Sequence, residues 1–150
     1  MSRLIFRHVD DVPWQEVRAQ LHGERRVAAR LKFLEMADSR SVIYTEYDPG
    51  LVLEAHGHAS DHVVFVLAGS VRIGDVDCRP GTMALLEQGA TFGPLVAGPD
   101  GASLLEFYTG DVSPVPADPE GYERLLEAEG IVRVPAQIER DTGPAGHPDR

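Results

Sequence analysis

At 150 residues, 43% hydrophobic and 25% charged, the chain has the size and composition of one globular domain able to bury a core. A formal net charge of −10 repels phosphate backbones and anionic bilayer surfaces, so neither nucleic acid nor membrane is an expected partner. No apolar run is long enough to span a bilayer, and "MSRLIFRHVDDVPW" has no apolar stretch leading to a small-residue cleavage site, which sets the expectation of a cytoplasmic protein. The single cysteine, Cys78, has no partner for an internal disulfide, and beside Val76 it reads as a small buried hydrophobe.

In "DDVPWQEVRAQL", Asp11 as an N-cap with Pro13 close behind predicts a short helix or turn around Trp14. "VAARLKFLEM" alternates Leu31 and Phe33 with Arg30 and Lys32 and reads as an outer strand, leaving residues 1–40 as the less regular segment. From residue 48 turn signals recur: "DPG" at 48–50, "AGS" at 68–70, "GD" at 74–75, "RPGT" at 79–82, "EQGA" at 87–90 and "GPDG" at 98–101. The segments between them, such as "SVIYTEY", "HVVFVL" and "LLEFY", are short, apolar and rich in β-formers, the pattern of an all-β sandwich, barrel or jelly roll.

"SPVPADPEGYERLLEAEG" then predicts a Pro-rich linker and a helix over 118–129, with Asp118 as N-cap, Pro119 in the first turn, Tyr122, Leu125 and Leu126 on one face, and Gly130 as the stop. That helix should pack on the outside of the sheet. The final "RDTGPAGHPDR" lacks apolar residues and reads as a disordered tail over 141–150, which removes His147 from consideration as a ligand. The expected organisation is a single domain, 1–140, with its core at about 40–112 and no internal repeat.

Three of the six histidines fall at His56, His58 and His62, in "EAHGHASDH". On a strand His56 and His58 share a face about 6.6 Å apart, a span two imidazoles can close around one ion. His62 would lie about 13 Å further on along a straight strand, but "ASD" offers a reversal that returns it beside the pair. The cluster predicts one divalent transition metal held by His56, His58 and His62; iron, zinc, manganese, nickel and copper all accept imidazole. Glu54 shares the face of His56 and is the candidate for fourth ligand or proton transfer. "HGHASDH" also resembles the HxHxDH motif of metallo-β-lactamase-like hydrolases, but it has one residue too many before the Asp-His pair, and no further histidine follows until His147.

From Gly50 to Gly69 the chain reads G-LVLEA-H-G-H-ASD-H-VVFVLA-G, and this resembles the first cupin motif, G-x5-H-x-H-x3,4-E-x6-G, with His62 where the family usually has a glutamate ligand. The second cupin motif is half present: Gly89 matches its glycine, Glu87 stands at its proline and Phe92 at its histidine ligand. The resemblance covers about residues 40–108. It implies a cupin double-stranded β-helix, or jelly-roll barrel, with the metal in its mouth, and a three-histidine face with open coordination positions. The activity implied is that of a non-heme iron(II) dioxygenase-type oxidoreductase acting on a small organic molecule. A nonredox metal-dependent lyase, isomerase or hydrolase and a non-catalytic small-molecule binding module are the alternatives.

Val64 and Val66 share the parity of His62 and are expected to line the pocket with Phe92, while Val63, Phe65 and Leu67 face the other way. Both faces of that strand are apolar, so the second should be covered by the terminal segments or by another subunit. Cupins commonly pair in this way, which implies a homodimer. Glu106, Tyr108 and Tyr44 fall on strands near the pocket with no assigned role.

Overall fold

The computed structural model describes residues 2–137. The stretch expected as a tail, 141–150 with His147, lies outside the described residues. Within them the chain forms β1 (Gln15–His22), β2 (Arg25–Ala37), β3 (Arg40–Tyr47), β4 (Val52–Leu53), β5 (His56–Gly57), β6 (His62–Ile73), β7 (Val76–Cys78), β8 (Met83–Leu86), β9 (Thr91–Phe92), β10 (Leu95–Tyr108), β11 (Val115–Pro116), α1 (Pro119–Glu129) and β12 (Ile131–Val134). The large sheet runs β12-β1-β2-β3-β10-β6-β7, with β4 joined to β10 and β8 to β6; a small sheet runs β11-β5-β9.

The N-terminal region departs from the sequence expectation. A 3-10 turn occupies Val9–Asp11, capped by the His8 side chain, and the chain is already strand at Gln15. Residues 15–37 form an antiparallel hairpin, with a register shift between Glu16 and Arg18. "VAARLKFLEM" is also not an outer strand: β2 lies inside the sheet, between β1 and β3. Asp11 and Pro13 do mark a turn, but the residues after it form β1, which pairs with β2 on one side and β12 on the other, and tertiary pairing outweighs local propensity.

The largest core cluster joins Val64, Val66, Val71, Cys78, Leu95, Ala102 and Leu104. A second, of Val27, Ala29, Leu51 and Ala97, ties the N-terminal hairpin to the loop before β4. Cys78 is buried, and burial pushes its thiol pKa up. Helix α1 begins with the Asp118 side chain accepting from Gly121 N at 3.0 Å and ends at Gly130 in the left-handed conformation. Its Tyr122 and Leu126 pack on Val52 and Ile131, and the Tyr122 hydroxyl donates to Val52 O at 2.9 Å.

The other face of the large sheet lacks such cover. Val63 pairs with Leu85 and Phe107, and Phe65 with Met83, so Phe65, Met83, Leu85, Phe107 and Leu67 form an apolar surface, each more than a third exposed. Among the described residues no helix is long and apolar enough to cross a membrane.

Candidate functional site

Strand β5 pairs with β9, setting His56 opposite Phe92 and Gly57 opposite Thr91. A Cβ at Gly57 would stand 2.2 Å from Ala90 O, so only glycine lets the two strands approach this closely. After His58 the "ASD" segment reverses the chain. Ser60 Oγ accepts from Thr109 N at 2.9 Å, Thr109 Oγ1 accepts from Asp61 N at 3.1 Å, and Asp61 Oδ1 accepts from Gln88 N at 2.9 Å. These bonds deliver His62 to the start of β6, opposite Tyr108 of β10.

The three imidazoles form a chain of near-perpendicular rings. His56 and His58 have centroids 5.1 Å apart at 83°, and His58 and His62 4.7 Å apart at 79°. The His62 ring stacks on Tyr108 at 4.0 Å and meets Phe92 edge-on at 5.7 Å. His56 Nδ1 donates to Glu54 O at 2.8 Å and His58 Nδ1 donates to Ser113 O at 3.2 Å. These bonds leave Nε2 as the lone-pair nitrogen of both rings. Burial lowers the His56 pKa; burial, then neighbouring His62 and His56, pulls His58 down to about 4, so both rings are neutral at pH 7.

Behind them lies a network that spacing did not reveal. Glu106 of β10 is 6% exposed, and its Oε1 accepts from His62 Nε2 at 2.9 Å and from the Tyr108 hydroxyl at 3.4 Å. Its Oε2 accepts from the Thr45 hydroxyl. Burial alone would raise the Glu106 pKa, but the hydrogen bonds from His62 and Thr45 outweigh it and hold the carboxyl below its ordinary value. Burial also raises the Tyr108 and Tyr47 hydroxyls well above the usual tyrosine pKa.

A cavity of about 350 Å³ opens beside the rings. Val17, Leu31, Phe33, Ile43 and Leu53 make its wall apolar, and Arg18, Glu54, His56, His58, Glu106 and Tyr108 supply its polar groups. Arg18 donates to Glu54 Oε1 at 3.3 Å. Of the residues expected to line the pocket, Val64 and Val66 belong to the main core cluster and lie outside the cavity wall, while Phe92 packs against that cluster and edge-on against His56 and His62, at 5.1 and 5.7 Å. Val64 and Val66 do share the buried side of the sheet with His62, but core packing fills the space there and the cavity opens toward β2 and β3 instead. Tyr44 packs against Trp14, ring centres 5.5 Å apart and planes tilted by 37°, away from the cavity.

No family model and no curated protein matches the sequence. Solved structures do match the fold. The polyketide cyclase RemF from Streptomyces resistomycificus superposes with a TM-score of 0.61 at 22% identity, over 86% of this chain and 95% of that one. An RmlC-like cupin from Shewanella frigidimarina gives 0.58 at 16% identity, over 74% and 95% of the two chains. The fold is that of a cupin. KdgF from Halomonas sp. is similar on the same terms, with a TM-score of 0.57 at 20% identity over 73% of this chain and 97% of that one.

Cupin sites of the common pattern hold a divalent metal, and the residues here fit one in their chemistry. An imidazole bound at about 2.1 Å has its ring centre about 3.2 Å from the ion, so two rings whose bonds meet at the ion at about 90–110° have centres about 4.5–5.2 Å apart. The observed 4.7 and 5.1 Å lie close to that spacing. Two donor atoms, His58 Nε2 and His62 Nδ1, are buried without a hydrogen-bond partner, a state ordinarily relieved by a ligand or ion. Among the described residues no three groups of His, Cys, Asp and Glu stand in coordinating geometry, so an ion would have to draw these donors together.

Proposed function

We propose that this cupin is a metal-dependent enzyme acting on a small, largely apolar organic molecule, with His56, His58 and His62 as protein donors to one divalent transition metal. The observation that carries this reading is the pair of buried, unpartnered imidazole nitrogens, His58 Nε2 and His62 Nδ1, together with an apolar cavity lined by His56 and His58. When bound, such an ion supplies a Lewis acid with open coordination positions for substrate or dioxygen. The chain's own residues do the rest. Leu31, Phe33, Ile43 and Leu53 exclude water and hold the apolar body of the substrate, while Arg18 and Glu54 orient its polar end. Glu54, whose carboxylate faces the cavity, is the group for moving a proton.

Two chemistries are open to this centre. A donor set of three imidazoles supports iron(II) and a dioxygenase-type reaction. The carboxylate of Glu54 in the cavity wall favours a second reading, a nonredox lyase, isomerase or hydrolase using zinc or nickel, because proton transfer needs such a group. Elemental analysis of the purified protein beside His56→Ala and His62→Ala tests the site: about one metal per chain in wild type and loss in both variants is expected, and unchanged occupancy in both sinks it. Iron with oxygen uptake on diketones, thiols or phenols supports the oxygenase, and zinc or nickel with turnover but no oxygen uptake supports the second reading. Metal without any turnover leaves a binding module.

The proposal includes a homodimer paired through the apolar face of β6, β8 and β10, which the described chain leaves uncovered. It also includes a cytoplasmic location, supported by the single cysteine.

A further inference from the structure

Glu106 has no place in the donor set expected from the sequence, yet it is the most heavily engaged side chain beside the rings. Both its oxygens accept hydrogen bonds, Oε1 from His62 Nε2 at 2.9 Å and from the Tyr108 hydroxyl at 3.4 Å, and Oε2 from the Thr45 hydroxyl. A carboxylate accepts and does not donate, so the bond at 2.9 Å places a proton on His62 Nε2. The lone pair of a neutral His62 then belongs to Nδ1, the atom that is buried without a partner. His56 and His58 are arranged the other way, each with Nδ1 donating to a backbone carbonyl and Nε2 left over.

We infer that Glu106 is the positioning residue of the metal site: it locks His62 in the tautomer that offers Nδ1, so that one ion is held through Nε2 of His56 and His58 and through Nδ1 of His62. This rests on the metal reading above and deepens it. A carboxylate behind a metal-bound imidazole fixes the ring's tautomer and raises its basicity. The same contact accounts for the departure at position 62. A glutamate there would set a second buried carboxylate against Glu106, whereas a histidine turns that repulsion into a hydrogen bond.

The test uses the full chain labelled with 15N and reads the ring nitrogens by long-range 1H–15N correlation, before and after zinc is added. The His62 signals, identified by their loss in His62→Gln, are expected to show the Nε2–H tautomer before zinc and a zinc-induced shift at Nδ1. Zinc affinity, measured by competition with a chromophoric chelator, is expected to fall about 10–100-fold in Glu106→Gln. Should that variant fail to fold, Thr45→Val, which removes only one hydrogen bond to the carboxylate, takes its place with a smaller expected loss. A proton on Nδ1, a zinc shift at Nε2, or zinc affinity within about twofold of wild type in the folded variant overturns the inference while leaving the metal reading intact. No zinc bound by wild type overturns both.

Discussion

Strands β6 and β10 present two opposite surfaces. On one face His62, Val64, Val66, Leu104, Glu106 and Tyr108 are buried; on the other Phe65, Leu67 and Phe107 are exposed, with Met83 and Leu85 of β8 beside them. An ordinary half-exposed antiparallel sheet puts apolar groups in and polar groups out. Here the interior carries a carboxylate and an imidazole, and the exterior is apolar. The interior departure is tolerated because nearly every polar atom there is hydrogen-bonded, leaving His58 Nε2 and His62 Nδ1. The exterior departure has no such compensation within the chain. Both fall where the proposed ion and the proposed second copy would sit.

The contrast can be broken most forcefully from inside. Glu106→Ala leaves three interior donors, His62 Nε2–H and the Thr45 and Tyr108 hydroxyls, without their acceptor, at about 1–3 kcal/mol for each group left unsatisfied, in urea unfolding of the metal-free protein. Leu104→Ala, at a fully buried position in the main core, should cost about 2–5 kcal/mol, whereas Leu85→Ala on the outer face should stay within about 0.5 kcal/mol; equal costs would show that the two faces do not differ.

Acid gives a third test. The folded-state pKa of His58, about 4, lies below its value in the unfolded chain, 6.5, so between those limits the unfolded state binds the proton first and stability falls as pH falls. Glu106, whose folded pKa is depressed, acts in the same direction, its contribution present above 4.5 and lost as pH drops through the folded value. The His58 share is roughly 2 kcal/mol once solvent on the cavity side of the ring is allowed for, and His58→Asn should remove that part of the slope in urea midpoints measured against pH. The smallest effect on folding, within about 0.5 kcal/mol at a dilution where the chain is monomeric, belongs to Leu85→Glu, which at higher concentration should convert a dimer to monomer in sedimentation. A wild-type monomer would sink the dimer instead.

Much of the fold was readable from local signals. The H-x-H spacing with flanking glycines led to the cupin resemblance, and Asp118 and Gly130 bracket a helix whose bounds are Pro119–Glu129. The N-terminal hairpin was not readable in the same way. Asp11 and Pro13 imitate a helix start, and only the ladders to β2 and β12 make Gln15–His22 a strand. Glu106 was hidden for another reason. It lies 44 residues from His62, and the register between β6 and β10 shifts between Ala97 and Ala102 and again between Ser103 and Leu104. Alternation counted along the chain therefore does not say which side of β10 meets the rings. The tautomers of His56 and His58 depend on backbone carbonyls of Glu54 and Ser113, which no side-chain pattern encodes.

Gly57 holds no proton, lone pair or charge of its own at the site, and alternation alone would admit any residue between two ligands on one strand. The 2.2 Å that separates its missing Cβ from Ala90 O makes the position as intolerant of change as the histidines it divides. A single methyl group there would force β5 from β9 and carry His56 away from Phe92, abolishing the proposed centre while every proposed donor stayed in the sequence. Inheritance of this site is thus limited by volume at one residue as well as by chemistry at three, and a relative with all three histidines but a larger residue at position 57 would have to build the small sheet differently.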